Sequence, residues 1–154
     1  MKTNALRILD AAGVQYHTRE YPVQEDELDA ISVARKIDAD PEQVFKTLVT
    51  HDGNGSHFVF VIPGNCDLHL KKAAAAAGTK KIEMIPLKEL TPLTGYQRGG
   101  CSPIGMKKTF TTFLDETAQL FGTIFVSAGT RGTQMEIAPD DLCRITGAEY
   151  RDIV

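Results

Sequence analysis

The chain has 154 residues, 42% hydrophobic and 24% charged, with aromatics but no tryptophan and a net charge of −3. That length supports one ordinary hydrophobic core, and the composition excludes disordered and fibrous classes. The slight acidic excess excludes a protein that coats nucleic acid through bulk charge, and the lack of any apolar run of about 20 residues or of a signal-peptide segment at 1–13 leads us to expect a cytoplasmic protein with no membrane contact.

Thr3 is placed to cap a first helix whose Ala5, Ile8, Leu9 and Ala12 share a face and which Gly13 ends. A strand is expected around Tyr16 to Tyr21, then, after the acidic Glu25, Asp26 and Glu27, a helical segment carrying Leu28, Ile31 and Ala34. Asp40-Pro41-Glu42-Gln43 combines a capping aspartate, a proline at the first helical position and a glutamine three residues after the cap, which predicts a short helix. Val44 to Thr50 alternates as a strand and reads as a hairpin with His57 to Ile62 across the turn-rich 51–55 segment. Asp67 is a candidate cap for a helix through the alanine run 73–77, closed by Gly78.

Beyond it we expect a strand at Lys81 to Met84, a short helix near Leu87 to Leu90, a loop from Thr94 to Gly105, and strands around Phe110 to Leu114 and Thr123 to Val126. A last strand is placed at Thr133 to Ile137 and a final short helix at Asp140 or Asp141. Hairpins mixed with scattered helices, without regular βαβ alternation, predict an α+β class, one domain over 1–154 around a mixed, largely antiparallel sheet.

The densest unusual chemistry is Gly99-Gly100-Cys101-Ser102-Pro103-Ile104-Gly105, whose amides can approach a ligand closely. It reads either as a nest for an oxyanion or phosphate or as a tight structural turn. It is not a P-loop, because Met106 stands where the lysine belongs and the β-like Thr109 to Phe113 replaces the helix. Ser127-Ala128-Gly129-Thr130-Arg131-Gly132 sits at a strand end and reads as a ligand contact or a hairpin turn.

Lys46 is either a surface charge or, if the glycine loop lies beside it, a group that orients an ester carbonyl and offsets developing negative charge. The four histidines form no HExxH, and three widely spaced cysteines offer neither a disulfide framework nor a zinc knuckle, so no metal and no cofactor are expected. No G-x-S-x-G elbow surrounds any serine, and Cys101 is the one thiol worth testing as a nucleophile. Lys71, Lys72, Lys80, Lys81, Lys107 and Lys108 offer either a local basic surface for one end of an RNA or ordinary solvated faces.

Taken together, Phe45-Lys46-Thr47-Leu48, the run Thr94-Gly95-Tyr96 into the 99–105 loop with Lys107-Lys108, and Ser127 to Gly132 resemble the YbaK/EbsC family in order and spacing over nearly the whole chain. That family is similar to the editing domain of bacterial prolyl-tRNA synthetases, and it includes freestanding Cys-tRNA(Pro) deacylases. The resemblance implies a mixed-sheet, barrel-like domain with surrounding helices that hydrolyses the aminoacyl ester of a mischarged tRNA. Such a second sieve is needed because a methylene is worth only ~1 to 3 kcal/mol in a binding pocket.

By the same resemblance Lys46 is the essential residue, with Gly99 a close backbone contact. Tyr21, Thr47, Gly100, Cys101, Ser102, Ser127, Gly129, Arg131 and Gln134 are implied to bind substrate. The implied partners are the acceptor end of tRNA(Pro) and prolyl-tRNA synthetase. Asp29-Ala30 stands where family members often carry an aromatic residue, and Gln134 where some carry aspartate, so alanine is an alternative to cysteine as the amino acid removed. A binding module without turnover and a hydrolase of another small ester are the rival readings.

Overall fold

In the computed structural model, which describes residues 2–154, the first helix forms where the apolar spacing places it. Helix α1 (Asn4–Ala11) is capped by Thr3, whose Oγ1 accepts from Leu6 N at 3.2 Å, and it buries Ala5, Leu6 and Leu9. The Thr3 hydroxyl also donates to the Ala128 carbonyl. Strand β1 (His17–Glu20) follows as expected. Helix α2 (Ala30–Lys36) starts later than its apolar pattern suggests, because Asp29 is the cap, its Oδ2 accepting from Ser32 N at 3.0 Å. Leu28 is thereby left outside the helix and Ile31 stays half exposed, while Val33 and Ala34 are buried.

The helix expected at 40–43 is only a turn. Asp40 Oδ1 accepts from Glu42 N at 2.9 Å and the Asp40 carbonyl from Gln43 N at 2.9 Å, but Val44 is already bridged in parallel to Phe125, which pulls the chain into extended conformation. Strands β2 (Phe45–His51) and β3 (His57–Pro63) then form the expected hairpin, with Lys46 opposite Ile62 and Thr47 opposite Val61. Helix α3 (Leu70–Ala77) is capped by His69 rather than Asp67. His69 N is held by the Ile153 carbonyl at 2.8 Å, so the helix begins only after His69 and Asp67 lies outside it. Gly78, at φ +73, ends it.

Strand β4 is reduced to Glu83–Met84, and a 3₁₀ turn at Leu87–Glu89 runs on into α4 (Leu90–Thr94). Strands β5 (Thr111–Asp115), β6 (Ile124–Ser127) and β7 (Thr133–Ile137) stand within a residue or two of their expected places. A 3₁₀ turn, Glu116–Leu120, that sequence did not reveal follows β5. Helix α5 (Pro139–Thr146) is capped by Ala138, with Pro139 in the first position and Asp140 and Asp141 in the first turn beside the positive helix end rather than at the cap. An eighth strand, β8 (Glu149–Arg151), follows the strand expected to be last. Its mostly exposed residues carry no apolar alternation to announce it.

The strands form a five-stranded mixed sheet, β4-β2-β3-β5-β8, and a three-stranded antiparallel sheet, β1-β7-β6. Neither closes into a barrel. The sheets meet at one corner through the Val44–Phe125 bridge, where Phe125 N donates to the Gln43 carbonyl at 3.0 Å. Strand β3 is buried on both faces: Val59 and Val61 join the main core with Phe45, Leu114, Val126 and Met135, and Phe60 and Ile62 pack with Phe113 beneath Ala73 and Ala74 of α3. Small alanine side chains let α3 lie close on the sheet, and each large side chain buried there contributes about 1.5–3 kcal/mol. No helix among the described residues is long and apolar enough to cross a membrane.

Candidate active site

Beside the corner where the sheets meet lies a cleft of about 560 Å³. Its walls come from four places: Leu28 to Ala30 at the start of α2, Lys46 and Thr47 on β2, Gly64 to Asp67 after β3, and Arg98, Gly99 and Cys101 of the glycine loop. Ser127 of β6 and Gln134 of β7, opposite one another in register, add the side of the small sheet. This is a size suited to a small-molecule moiety with a few polar groups fixing its orientation.

Lys46 follows the fully packed Phe45, which anchors the strand, and its half-exposed side chain lines the cleft. Its ammonium forms no ion pair among the described residues. Lys46 lies near enough to Cys66 to favour its thiolate, although burial outweighs that pull and leaves the Cys66 thiol pushed up. Across the cleft, burial raises the Cys101 thiol from its ordinary 9.0 to about 12. Cys101 is therefore protonated at neutral pH and is a wall rather than a ready nucleophile.

Thr47 Oγ1 and Gln134 Oε1 are the buried side-chain oxygens left without a hydrogen-bond partner among the described residues, and both belong to this cleft. Gln134 is only 5% exposed. An unmatched buried acceptor costs about 1–3 kcal/mol, and such a cost persists where a ligand supplies the missing donor. Ser127 Oγ is already engaged, accepting from Gly129 N at 3.2 Å.

The glycine loop is held from inside. Tyr96 is buried and donates its hydroxyl to the Ile104 carbonyl, Ser102 Oγ accepts from Ile104 N at 3.2 Å, and Lys107 N donates to the Thr94 carbonyl at 2.9 Å. Gly100 N is taken by the Gln97 carbonyl at 2.9 Å, whereas the amides of Gly99 and Cys101 are given to no protein acceptor among the described residues. Gly99 requires glycine at φ +83, and a Cβ there would stand 3.1 Å from Leu28 Cδ2.

Six of the sequence-derived residues, Lys46, Thr47, Gly99, Cys101, Ser127 and Gln134, thus converge on one cleft. Five others lie outside its lining. Tyr21 packs against the Ala34, Ile37, Val44 and Phe125 cluster. Gly100 abuts Thr130 and Arg131, since a Cβ would meet Arg131 N at 3.0 Å. Ser102 is fully buried within its own turn. Gly129 packs on the Tyr96 ring. Arg131 reaches over the loop, donating from Nε to the Arg98 carbonyl at 2.8 Å and from an Nη nitrogen to Glu25 at 3.1 Å.

The family resemblance points to the Asp29-Ala30 region, but sequence reasoning missed Leu28, Gly64, Cys66, Asp67 and Arg98 as cleft residues. One signal was there to find: Arg98 stands directly before the glycine pair. Among the described residues no three His, Cys, Asp or Glu side chains converge with the spacing of a metal site.

Residues 24–145 match the model of the aminoacyl-tRNA editing domain. A protein of Enterococcus faecalis described as a candidate Cys-tRNA(Pro)/Cys-tRNA(Cys) deacylase, EbsC, is 49% identical over 152 residues, which cover 99% of this chain and 93% of that protein. A solved structure described as a candidate trans-editing enzyme for prolyl-tRNA synthetase superposes with a TM-score of 0.85 at 25% identity, over 99% of this chain and 98% of that one. The hypothetical protein APE2540 shares the fold, with a TM-score of 0.89 at 21% identity over 98% of this chain and 99% of that one. With a family model spanning most of the chain and a relative at this identity over nearly all of it, the protein belongs to the aminoacyl-tRNA editing domain family.

Proposed function

We propose that the protein is a trans-editing hydrolase of the cytoplasm, with one deacylase domain over 1–154, that cleaves the ester between a wrong amino acid and the terminal ribose of tRNA. Cys-tRNA(Pro) is its first substrate, and prolyl-tRNA synthetase is the enzyme whose error it corrects. The observation that carries this reading is the makeup of the cleft: the residues that line it bring an ammonium without an ion-pair partner, two orphaned buried oxygens and two undonated amides, with no activated side-chain nucleophile among them.

Such a site orients and stabilises rather than attacks. The Lys46 ammonium and the amides of Gly99 and Cys101 receive the ester carbonyl and offset the negative charge that grows on its oxygen. The nucleophile comes from outside the protein: water, oriented by a ribose hydroxyl, or the thiol of the cysteinyl group. It adds to the carbonyl carbon, the bond to the ribose oxygen breaks with the nucleophile's proton passing to that oxygen, and where the thiol attacked, water then opens the cyclic thioester to free cysteine. Gln134 and Thr47 meet the donors of the aminoacyl moiety. Gly100, Ser102, Gly129 and Arg131 act by holding the loop in shape, and Tyr21 by packing behind the cleft.

The experiment is release of amino acid from purified Cys-tRNA(Pro), Ala-tRNA(Pro) and Pro-tRNA(Pro), with Lys46→Ala beside the unaltered protein. Selective release of cysteine that disappears in Lys46→Ala supports the proposal. Equal release by a folded Lys46→Ala protein removes Lys46 from it, and no release of any amino acid with or without added synthetase replaces it with a binding module.

A further inference from the structure

A chain of net charge −3 that engages a polyanion needs cations held free of its own carboxylates. Of its 17 lysines and arginines, nine pair with carboxylates among the described residues: Lys2, Arg19, Arg35, Lys36, Lys72, Lys81, Arg131, Arg144 and Arg151. Of the remaining eight, Lys46 and Arg98 are the two that line the cleft. Lys46 lines the cleft with Thr47 of its own strand and Gln134 of the small sheet, the two residues with unmatched buried oxygens; Arg98 is exposed and belongs to the wall formed by the glycine loop.

The two cations are built differently. Arg98 has its backbone fixed, since its carbonyl accepts from Arg131 Nε at 2.8 Å, and Arg131 is itself tied to Glu25. Glu25 is occupied by Arg131, and neither it nor the cleft's Asp29 and Asp67 forms an ion pair with the Arg98 guanidinium among the described residues. A planar guanidinium on a pinned backbone, at the edge of a cleft whose interior carries the acyl-binding groups, matches the two oxygens of a phosphodiester in paired hydrogen bonds. Aminoacyl-tRNA presents one phosphodiester next to the nucleoside that bears the ester.

We propose that Arg98 binds the phosphodiester on the 5′ side of the terminal nucleoside, so that the cleft reads the acyl group with Lys46 and its surroundings and the RNA backbone with Arg98. The assignment rests on the deacylase reading for the identity of the acyl end and on the distribution of unpaired cations for the RNA end. Arg131 and Glu25 are positioning residues for this contact.

The test compares the unaltered protein with Arg98→Ala and Arg98→Lys on two substrates with the same ester: cysteinyl-tRNA, and 3′-O-cysteinyl-adenosine, which has no phosphate. Binding of an uncharged CCA-ended RNA hairpin is followed in parallel by fluorescence anisotropy across a salt series, and folding by thermal melting. The expected result is a KM for cysteinyl-tRNA about tenfold or more higher in Arg98→Ala, a loss at least about tenfold greater than on the adenosine ester, partial recovery in Arg98→Lys, and a hairpin salt slope shallower by about one. Equal losses on the two substrates, or an unchanged salt slope in a folded variant, overturn the proposal. Absence of turnover by the unaltered protein with an Arg98-dependent hairpin slope overturns the deacylase reading and leaves the phosphodiester contact standing.

Discussion

Leu28 fills the space in which a Cβ on Gly99 would stand, its Cδ2 at 3.1 Å and its own Cβ at 3.2 Å from that point. The contact joins the segment before α2 to the glycine loop directly at the cleft. Gly99→Ala meets both this contact and a φ of +83, which costs an L-residue about 1–2 kcal/mol. The melting temperature is expected to fall by about 2–8 °C. Adding Leu28→Ala relieves the crowding but not the backbone cost, so calorimetry of the two single variants and the double variant separates the two causes.

Lys46→Ala removes a half-exposed side chain with no ion pair, so its thermal melt should move by less than about 1 kcal/mol equivalent. Deacylation should fall about 10²–10³-fold, the magnitude lost with one group that stabilises a developing oxyanion. Single-turnover rates at saturating enzyme read the chemical step without contamination from binding.

Gln134→Leu exchanges an amide with an unmatched buried oxygen for an apolar side chain. Removing that unmet acceptor should raise stability by about 1–2 kcal/mol in urea unfolding while weakening substrate binding. A variant both less stable and fully active would mean that the Gln134 oxygen finds a partner in solution and has no part in recognition.

Arg131→Ala and Glu25→Gln test the strap over the loop. The Glu25 carboxylate is 84% exposed, and its ion pair is worth little, so Glu25→Gln should change stability by under about 1 kcal/mol. Arg131→Ala also removes the donor to the Arg98 carbonyl and should raise hydrogen exchange of the 97–101 amides, measured by mass spectrometry, more than Glu25→Gln does.

Alkaline stability depends on two buried acids at the glycine loop. Burial raises Cys101 from 9.0 to about 12 and Tyr96 from 10.0 to about 12. The folded state therefore holds both protons more tightly than the unfolded chain. Their stabilising contribution is complete below pH 9 and is lost progressively as pH rises through about 12. The urea midpoint should decline across that window, and Tyr96→Phe, which removes one of the two titrations, should make the decline shallower.

The elements that sequence disclosed best are those whose signal is local. Thr3, Gly13, the 51–55 turn and Gly78 each fix a boundary by backbone geometry within a few residues, and the alternation of β2, β3 and β7 follows from one neighbouring layer. The failures have a shared cause in distant contacts. Val44 is drawn into extension by Phe125, 81 positions away, which cancels the helix signal at 40–43; His69 takes the cap from Asp67 because Ile153 holds it; β8 exists through pairing with β5 alone. The site divides in the same way. Lys46, Gly99 and Gln134 were legible through family resemblance, whereas Leu28, Cys66 and Asp67 join the cleft only when α2 and the turn after β3 are brought together, which no spacing in the chain encodes.

At Gly64 the bare backbone touches the Ala30 methyl so closely that a Cβ would fall 2.4 Å from it and 2.9 Å from the Val44 carbonyl. The junction behaves as a one-sided stop. The start of α2 has no room to come nearer to the turn after β3, so along this line the wall of the cleft is set by a methyl group resting on a peptide, and any side chain at position 64 would force the two segments apart.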